Sequence, residues 1–370
     1  MKKTLLALAV AAMAAGGANA TVIYEKDGAK IDMYGRLALE VIKVENKRTD
    51  VVDRGSRLGV RAFQEIGNGY DALASAELRF SKTGFGDDIR AHRVFAGVRH
   101  NDIGTLTFGR QLVAGDHIPK ANYTKEMGGN VFLDAHGKAL HFMSAKFNGV
   151  RFAADYYVGH SDKSKIDEGQ GFQFGLFYDG QLGDAKVRFG SGYGELTAAK
   201  AGASTSVCNG YAKLTDKDGN ELNPVQTVCI KETVTVGKEE EFKRKFAGVG
   251  FDINYGNFTT GIDWAYGKSK DKFFKFQTFG SEKFEKINRF DVGVKYAVTP
   301  QNSIYGGVLF GTGQNAGQAK AKNLGWKLGV DHNFNRSTFV YLEGGKGRTK
   351  QAGETIEKDS RIAAGVRINF

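Results

Sequence analysis

The residues best placed to do chemistry in this chain are charged ones set into alternating segments. From Lys30 to Val41, apolar side chains fall at Ile31, Met33, Leu37, Leu39 and Val41, with Asp32, Tyr34, Arg36 and Glu40 between them. A strand sends successive side chains to opposite faces, so Arg36 points away from the apolar face. The same parity sets Arg57 and Arg61 opposite Leu58 and Val60. It also sets Glu77 and Arg79 opposite Ala74, Ala76, Leu78 and Phe80. With Phe95 on the apolar face, Arg90 and His92 join the charged side. Arginine on a lipid face costs about 2–4 kcal/mol at the bilayer midplane, which makes the inward assignment firmer than periodicity alone. Groups so arranged hold hydrated ions and orient dipolar solutes. No serine–histidine constellation stands in a recognisable context, and Gly248-Val249-Gly250 has no helix after it, so it reads as strand glycines rather than a phosphate loop. The chain is expected to be no enzyme and to need no metal or cofactor.

The elements that must carry these charges are strands. Turn signals divide the chain into sixteen alternating segments, near 30–43, 54–66, 70–83, 90–100, 104–111, 139–148, 150–160, 170–181, 185–196, 244–255, 257–268, 284–297, 303–313, 323–334, 337–348 and 358–370. Their connections alternate between tight turns, such as Gly67-Asn68-Gly69 and Gly256-Asn257, and long polar loops that include 112–138 and 197–243. Short turns on one rim and long loops on the other, with an even strand number, predict an all-β, 16-stranded antiparallel transmembrane β-barrel. Eight strands would be filled by their own side chains, whereas sixteen leave an aqueous lumen. The expected function is therefore a channel.

Composition agrees. There are 50 Gly, 27 Phe and 14 Tyr but 3 Pro. Glycines suit strand bends, aromatics suit the interfacial girdles, and proline cannot donate to a strand ladder. No apolar run reaches 18 residues, and mean hydropathy is −0.36, which excludes a helical span. Met1-Lys2-Lys3, the apolar run Thr4 to Ala15, and Ala18-Asn19-Ala20 read as a cleaved export signal over 1–20, leaving the barrel as 21–370. The formal net charge is +11, or +9 without Lys2 and Lys3. An exported chain rarely meets nucleic acid, so a basic pore lining is the better reading.

Cys208 and Cys229 lie in the longest loop. In an oxidising compartment a disulfide is the default. A hairpin turning at Asp218-Gly219 would place the two cysteines directly opposite each other at a non-hydrogen-bonded site, and would put Pro224 across from Lys213. Two thiols without a nearby histidine make metal binding the weaker alternative.

Several short runs together resemble the general diffusion porins of Gram-negative bacteria, most closely the major porins of the Haemophilus and Pasteurella group. They are Tyr34-Gly35-Arg36-Leu37, Ser56-Arg57-Leu58-Gly59-Val60, Phe95-Ala96-Gly97-Val98, Ile103 to Arg110, Glu126-Met127-Gly128-Gly129 and Gly365 to Phe370. Their order and spacing cover nearly the whole chain after residue 20. The resemblance implies an outer-membrane homotrimer, surrounded by lipid and lipopolysaccharide, that passes ions and small hydrophilic solutes. It implies a third loop, about Leu112 to Gly137, folded inward to narrow each pore. Matched to the family pattern, Arg36, Arg57 and Lys138 take the places of basic wall residues, and His92 stands where a fourth is usual. Glu126 matches the acidic residue of the loop. Asn122 stands where a second acid is expected, with Asp116 as a substitute. One acid fewer and a net charge of +9 predict a weak anion preference. A substrate-selective channel, or an adhesin on the same scaffold, are the alternatives.

Overall fold

The computed structural model describes residues 20–80, 89–163, 165–200, 204–213, 217, 220, 227–236, 240–276 and 279–370. Their strands are β1 (Thr21–Lys26), β2 (Ala29–Val44), β3 (Asp50–Asp53), β4 (Arg57–Gly67), β5 (Tyr70–Phe80), β6 (Ile89–His100), β7 (Gly104–Leu112), β8 (Ala135–Ser144), β9 (Val150–Tyr157) and β10 (Gly171–Leu182). They continue as β11 (Ala185–Lys200), β12 (Ser204–Lys213), β13 (Thr227–Val236), β14 (Glu240–Tyr255), β15 (Phe258–Lys268), β16 (Lys286–Ala297), β17 (Asn302–Gln314), β18 (Ala321–Asn333), β19 (Thr338–Gln351) and β20 (Glu354–Asn369).

Sixteen of these, β2, β4–β11 and β14–β20, form one antiparallel sheet in which each pairs with its neighbour in the barrel. The sheet closes where β20 pairs with β2, from Arg36 opposite Asn369 to Val44 opposite Arg361. The short β1 pairs with the other end of β2, and Gly35 exchanges two backbone hydrogen bonds with Phe370. No open edge remains at the seam, as a barrel in lipid requires.

Alternation follows the residues' polarity. Leu37, Val60, Leu78, Val94, Leu140 and Trp326 lie on the outer face and are exposed. Tyr255, Phe258, Tyr296 and Phe334 are also exposed, and they sit beside the short turns as an aromatic belt. Lumenal side chains such as Glu40, Glu77, Asp155 and Lys327 are buried.

Two connections differ from a plain long loop. Residues 349–357 are not a long loop: β19 and β20 run on to a two-residue turn, where Ala352 and Gly353 have φ of 50° and 92°. Positive φ at both central residues matches the twist of the flanking strands, so the ladder can continue to the tip. The long connection 197–243 contains strands, including a hairpin as expected, though in a different register. β11 and β14 extend into it, and β12 and β13 form a separate two-stranded sheet. In that hairpin Cys208 stands opposite Glu232 and Cys229 opposite Tyr211, with register shifts on either side of Gly210. The cysteines are therefore not direct cross-strand partners, because the hairpin is offset by three residues from a turn at Asp218-Gly219. Their side chains, the turn residues and Pro224 lie outside the described residues.

Candidate pore constriction

The segment between β7 and β8 folds into the barrel and joins the larger apolar cluster inside it. Val113, Ala114 and Ile118 are at most 1% exposed. With Val131 and Phe132 they pack on Phe177 and Phe246 of the inner wall. A short 3-10 turn spans Ala114–His117.

The loop is pinned by carboxylates of the wall. Asp155 accepts the Ala114 N–H at 2.9 Å. Asp263 accepts those of Lys120 (2.7 Å) and Ala121 (2.9 Å), and Glu343 those of Lys125 (2.9 Å) and Glu126 (2.8 Å). A buried backbone N–H must find an acceptor, so each carboxylate satisfies what a loop in a lumen would otherwise leave unpaired. The wall is also hollowed to receive the loop. A Cβ at Gly293 would come within 1.8 Å of the Ala121 carbonyl oxygen, and one at Gly250 within 2.3 Å of that of Ile118.

Asn122 has a definite task here. Its Oδ1 accepts from Lys327 Nζ at 2.7 Å and from the Thr124 hydroxyl at 2.7 Å. Lys327 is 3% exposed and also reaches the Met127 carbonyl and Asp291. The amide latches the loop to the wall and presents no charge to the lumen.

The opposite wall is arginine. Arg36 on β2 stands across from Arg57 on β4, Arg57 from Arg79 on β5, and Arg79 from Arg90 on β6. Like charges placed directly opposite are destabilising unless a counter-charge joins them. Glu77 supplies it. Fully buried, it accepts from Arg79 Nε at 2.9 Å and lies 3.6 Å from both Arg57 and Arg93. The Gly55 carbonyl accepts from Arg36 (3.2 Å) and Arg57 (3.0 Å). Gly55 adopts φ 83°, and Asp53 Oδ1 caps its N–H at 2.7 Å, so the backbone turns this carbonyl onto both guanidinium groups. Arg61 lies lower on the same face, 3.7 Å from Asp32 and over the Tyr34 ring.

Two sequence assignments change on β6 and β8. Glu77 pairs with Arg93 but Leu78 with Ala91, so His92 is the extra residue of a β-bulge. Beyond the bulge parity reverses: Val94 is exposed to lipid, while Phe95 shares the lumen side with Ser75. Arg93 therefore takes the inward place next to Glu77, and His92 sits among Arg57, Arg79 and Arg93. A parity conflict marked this in the sequence, since Arg90 and His92 fall on even positions but Arg93 and Arg99 on odd ones. Lys138 is the second change. It is exposed, lies on the parity of lipid-facing Leu140, and donates from Nζ to the Gly159 carbonyl at 2.8 Å. The irregular register where Gln111 meets His136 carries it to the outer rim and away from the arginines.

Glu126 bonds Arg367 of β20 at 2.7 Å, and Arg54, Glu40 and Arg36 are the other charges in its field. Asp116, on the 3-10 turn, has Arg93 and Lys120 as its cationic neighbours and Asp134 as an anionic one. Burial raises the pKa of Glu126 against the pull of Arg367, and burial and then Asp134 raise that of Asp116. A second inward segment was not foreseen. Between β15 and β16, Phe274, Phe276, Phe279 and Phe284 are each at most 3% exposed. Their rings fill hollows left by wall glycines: Phe284 at Gly313, and Phe279 at Gly345 and Gly347. The Phe-rich run Lys272 to Phe279 was the available signal.

A closed sixteen-stranded barrel whose lumen is crossed by a pinned loop is a channel of outer-membrane type. Comparison with known proteins names the group. A family model described as Gram-negative porin matches residues 7–352. The chain is 32% identical over 383 residues to a major outer membrane protein of Pasteurella multocida strain Pm70, with all of both chains covered. Among solved structures, outer-membrane expressed OmpT of Vibrio cholerae superposes with a TM-score of 0.66 at 17% identity, over 95% of this chain and 100% of that one. An anion-selective porin from Comamonas acidovorans gives a TM-score of 0.62 at 16% identity, over 92% and 100%. The chain belongs to the Gram-negative porin family. It lies in the outer membrane as a channel for passive diffusion.

Proposed function

We propose that this chain is a non-enzymatic general diffusion porin for ions and small hydrophilic solutes, with a weak preference for anions. The observation that carries the reading is the row Arg36–Arg57–Arg79–Arg90, which faces a loop bearing Asp116 and Glu126. Opposed charges across a narrow opening create a transverse field that orients dipolar solutes, and the excess sign biases ion choice. The cations outnumber the acids here, and the Comamonas protein of like fold is described as anion-selective. In this reading residues 1–20 act as a cleaved export signal. The functional unit is a homotrimer in lipid and lipopolysaccharide, by analogy with the trimer form in which Vibrio cholerae OmpT was solved.

Reversal potentials in a planar bilayer under a KCl gradient test the field. Replacing Arg36 and Arg57 with serine is expected to move the potential toward cations. An unchanged potential and step size would remove the assignment. Threefold closure at high voltage tests the trimer.

A further inference from the structure

Above the constriction, at the rim of long loops, lies a cavity of about 850 Å³. It is an open pocket lined by the connection between β2 and β3, the start of β20, and the Phe-rich segment between β15 and β16. That volume falls in the range of small-molecule sites.

Its charges are unevenly engaged. Each acid in the lining already has a partner from the protein. Glu45 accepts from Lys358 at 2.9 Å and Ser360 at 2.8 Å. Glu357 accepts from the Ser281 hydroxyl at 3.0 Å, Asp50 caps the Val51 N–H at 2.8 Å, and Asp359 pairs with Arg361. The side chains of Lys47, Arg48 and Lys275 also line the cavity, are exposed, and make no ion pair among the described residues. The floor is apolar: Ile42, Val44 and Val52 meet Phe279, Ala363 and the loop residue Met127. Phe279 is held in its glycine hollow, so the floor does not depend on an occupant. Three unengaged cations over an apolar floor attract a multivalent anion with an apolar body.

We propose that this cavity is a vestibular binding site for small organic polyanions, organic phosphates or polycarboxylates, which it holds before they reach the arginine row. The lysine and arginine heads meet the anionic groups, and the apolar part rests on Ile42, Val44 and Val52. Binding here makes the flux of such solutes saturable, a property general diffusion lacks. Lys47, Arg48 and Lys275 are not in the arginine row and are not among the charged neighbours of Glu126 or Asp116, so their replacement separates this site from the proposed function.

The test uses the full channel in planar bilayers, with inorganic tripolyphosphate and then phenyl phosphate as blockers. Tripolyphosphate is expected to cause resolvable block that weakens as KCl rises from 0.1 M to 1 M, since the Debye length falls from about 10 Å to about 3 Å. Changing Lys47, Arg48 and Lys275 together to glutamine is expected to raise the half-blocking concentration about tenfold while leaving the KCl step nearly unchanged. The Arg36→Ser, Arg57→Ser channel is expected to keep its block. Ile42→Ser is expected to weaken phenyl phosphate block about threefold and spare tripolyphosphate. If the vestibular variant blocks as the parent does, or the constriction variant alone loses block, the anion binds at the arginine row and the vestibular site is wrong. That outcome would leave the proposed function intact, whereas an unchanged reversal potential in the constriction variant would defeat that function and spare this site.

Discussion

On each side of the lumen, like charges meet across neighbouring strands. Asp263 stands opposite Asp291 on one wall, and Arg57 stands opposite Arg79 on the other. The aspartates are sealed. Loop N–H groups fill Asp263, while Arg289 and Lys327 neutralise Asp291, leaving the two residues 8% and 4% exposed. The arginines share Glu77 at their inner edge, but their side chains keep 15% and 18% of their surface open to the lumen. One register device thus does two kinds of work. Where a loop covers it, the charge row holds structure; where nothing covers it, the row sets a field for permeating ions.

The sharpest way to break this contrast is Glu77→Gln. It leaves Arg57, Arg79 and Arg93 without their common counter-charge, and removing one partner of a buried ion network typically costs about 3–5 kcal/mol. Urea titration of the folded barrel, followed by heat-modifiable mobility, is expected to show a loss of that order. A shift below 1 kcal/mol would mean that solvent and the Gly55 carbonyl already neutralise the arginines.

On the clamped wall the expected effect is smaller and different in kind. Asp263→Asn sets an amide N–H₂ against one of the two loop donors, so one buried N–H loses its acceptor at about 1–3 kcal/mol. The arginine wall is untouched, so the step-size distribution should broaden upward as the loop loosens, while ion selectivity holds. A uniform step would show that the remaining clamps suffice. Gly293→Ala drives a methyl into the Ala121 carbonyl and should cost roughly 1–2 kcal/mol by overpacking. Its conductance should change in the same sense as that of Asp263→Asn.

The smallest effect expected is that of pH. Burial first, opposed by Arg367, lifts Glu126 above its ordinary 4.5, and burial with Asp134 lifts Asp116 above 3.8. A raised carboxylate pKa means the folded state takes up the proton early. The penalty of the buried charge is present above the folded pKa and is relieved as pH falls through it. The loop acids therefore neutralise before ordinary exposed carboxylates while the arginines stay charged, so acidification should increase anion preference. In a channel carrying Asp116→Asn and Glu126→Gln this first rise should vanish. If it persists, other carboxylates set the profile.

Much of this was legible in the chain. Sixteen alternating segments, the lipid face, and inward Arg36, Arg57, Arg61, Glu77 and Arg79 all follow from period-2 parity within single strands. Local parity failed where register is set by a partner. The parity conflict on β6 signals a break, but only the pairing of β6 with β5 places the bulge at His92 and hands the inward place to Arg93. Lys138 looked like a wall residue by its place in the chain, but the irregular β7–β8 register turns it to the rim. Asn122 looked like a missing acid until its partner, Lys327, came into contact from two hundred residues away.

The sequence by itself determined the strand number, the aqueous lumen and the arginine content of its lining, because a strand's faces depend on neighbouring residues alone. Only the tertiary structure decided which inward charges become scaffold and which remain free to act. That choice rests on where the loops come down. The clamps of Asp155, Asp263 and Glu343, and the glycine hollows beneath Ala121 and Phe279, join residues far apart in the chain, which meet only once the barrel has closed.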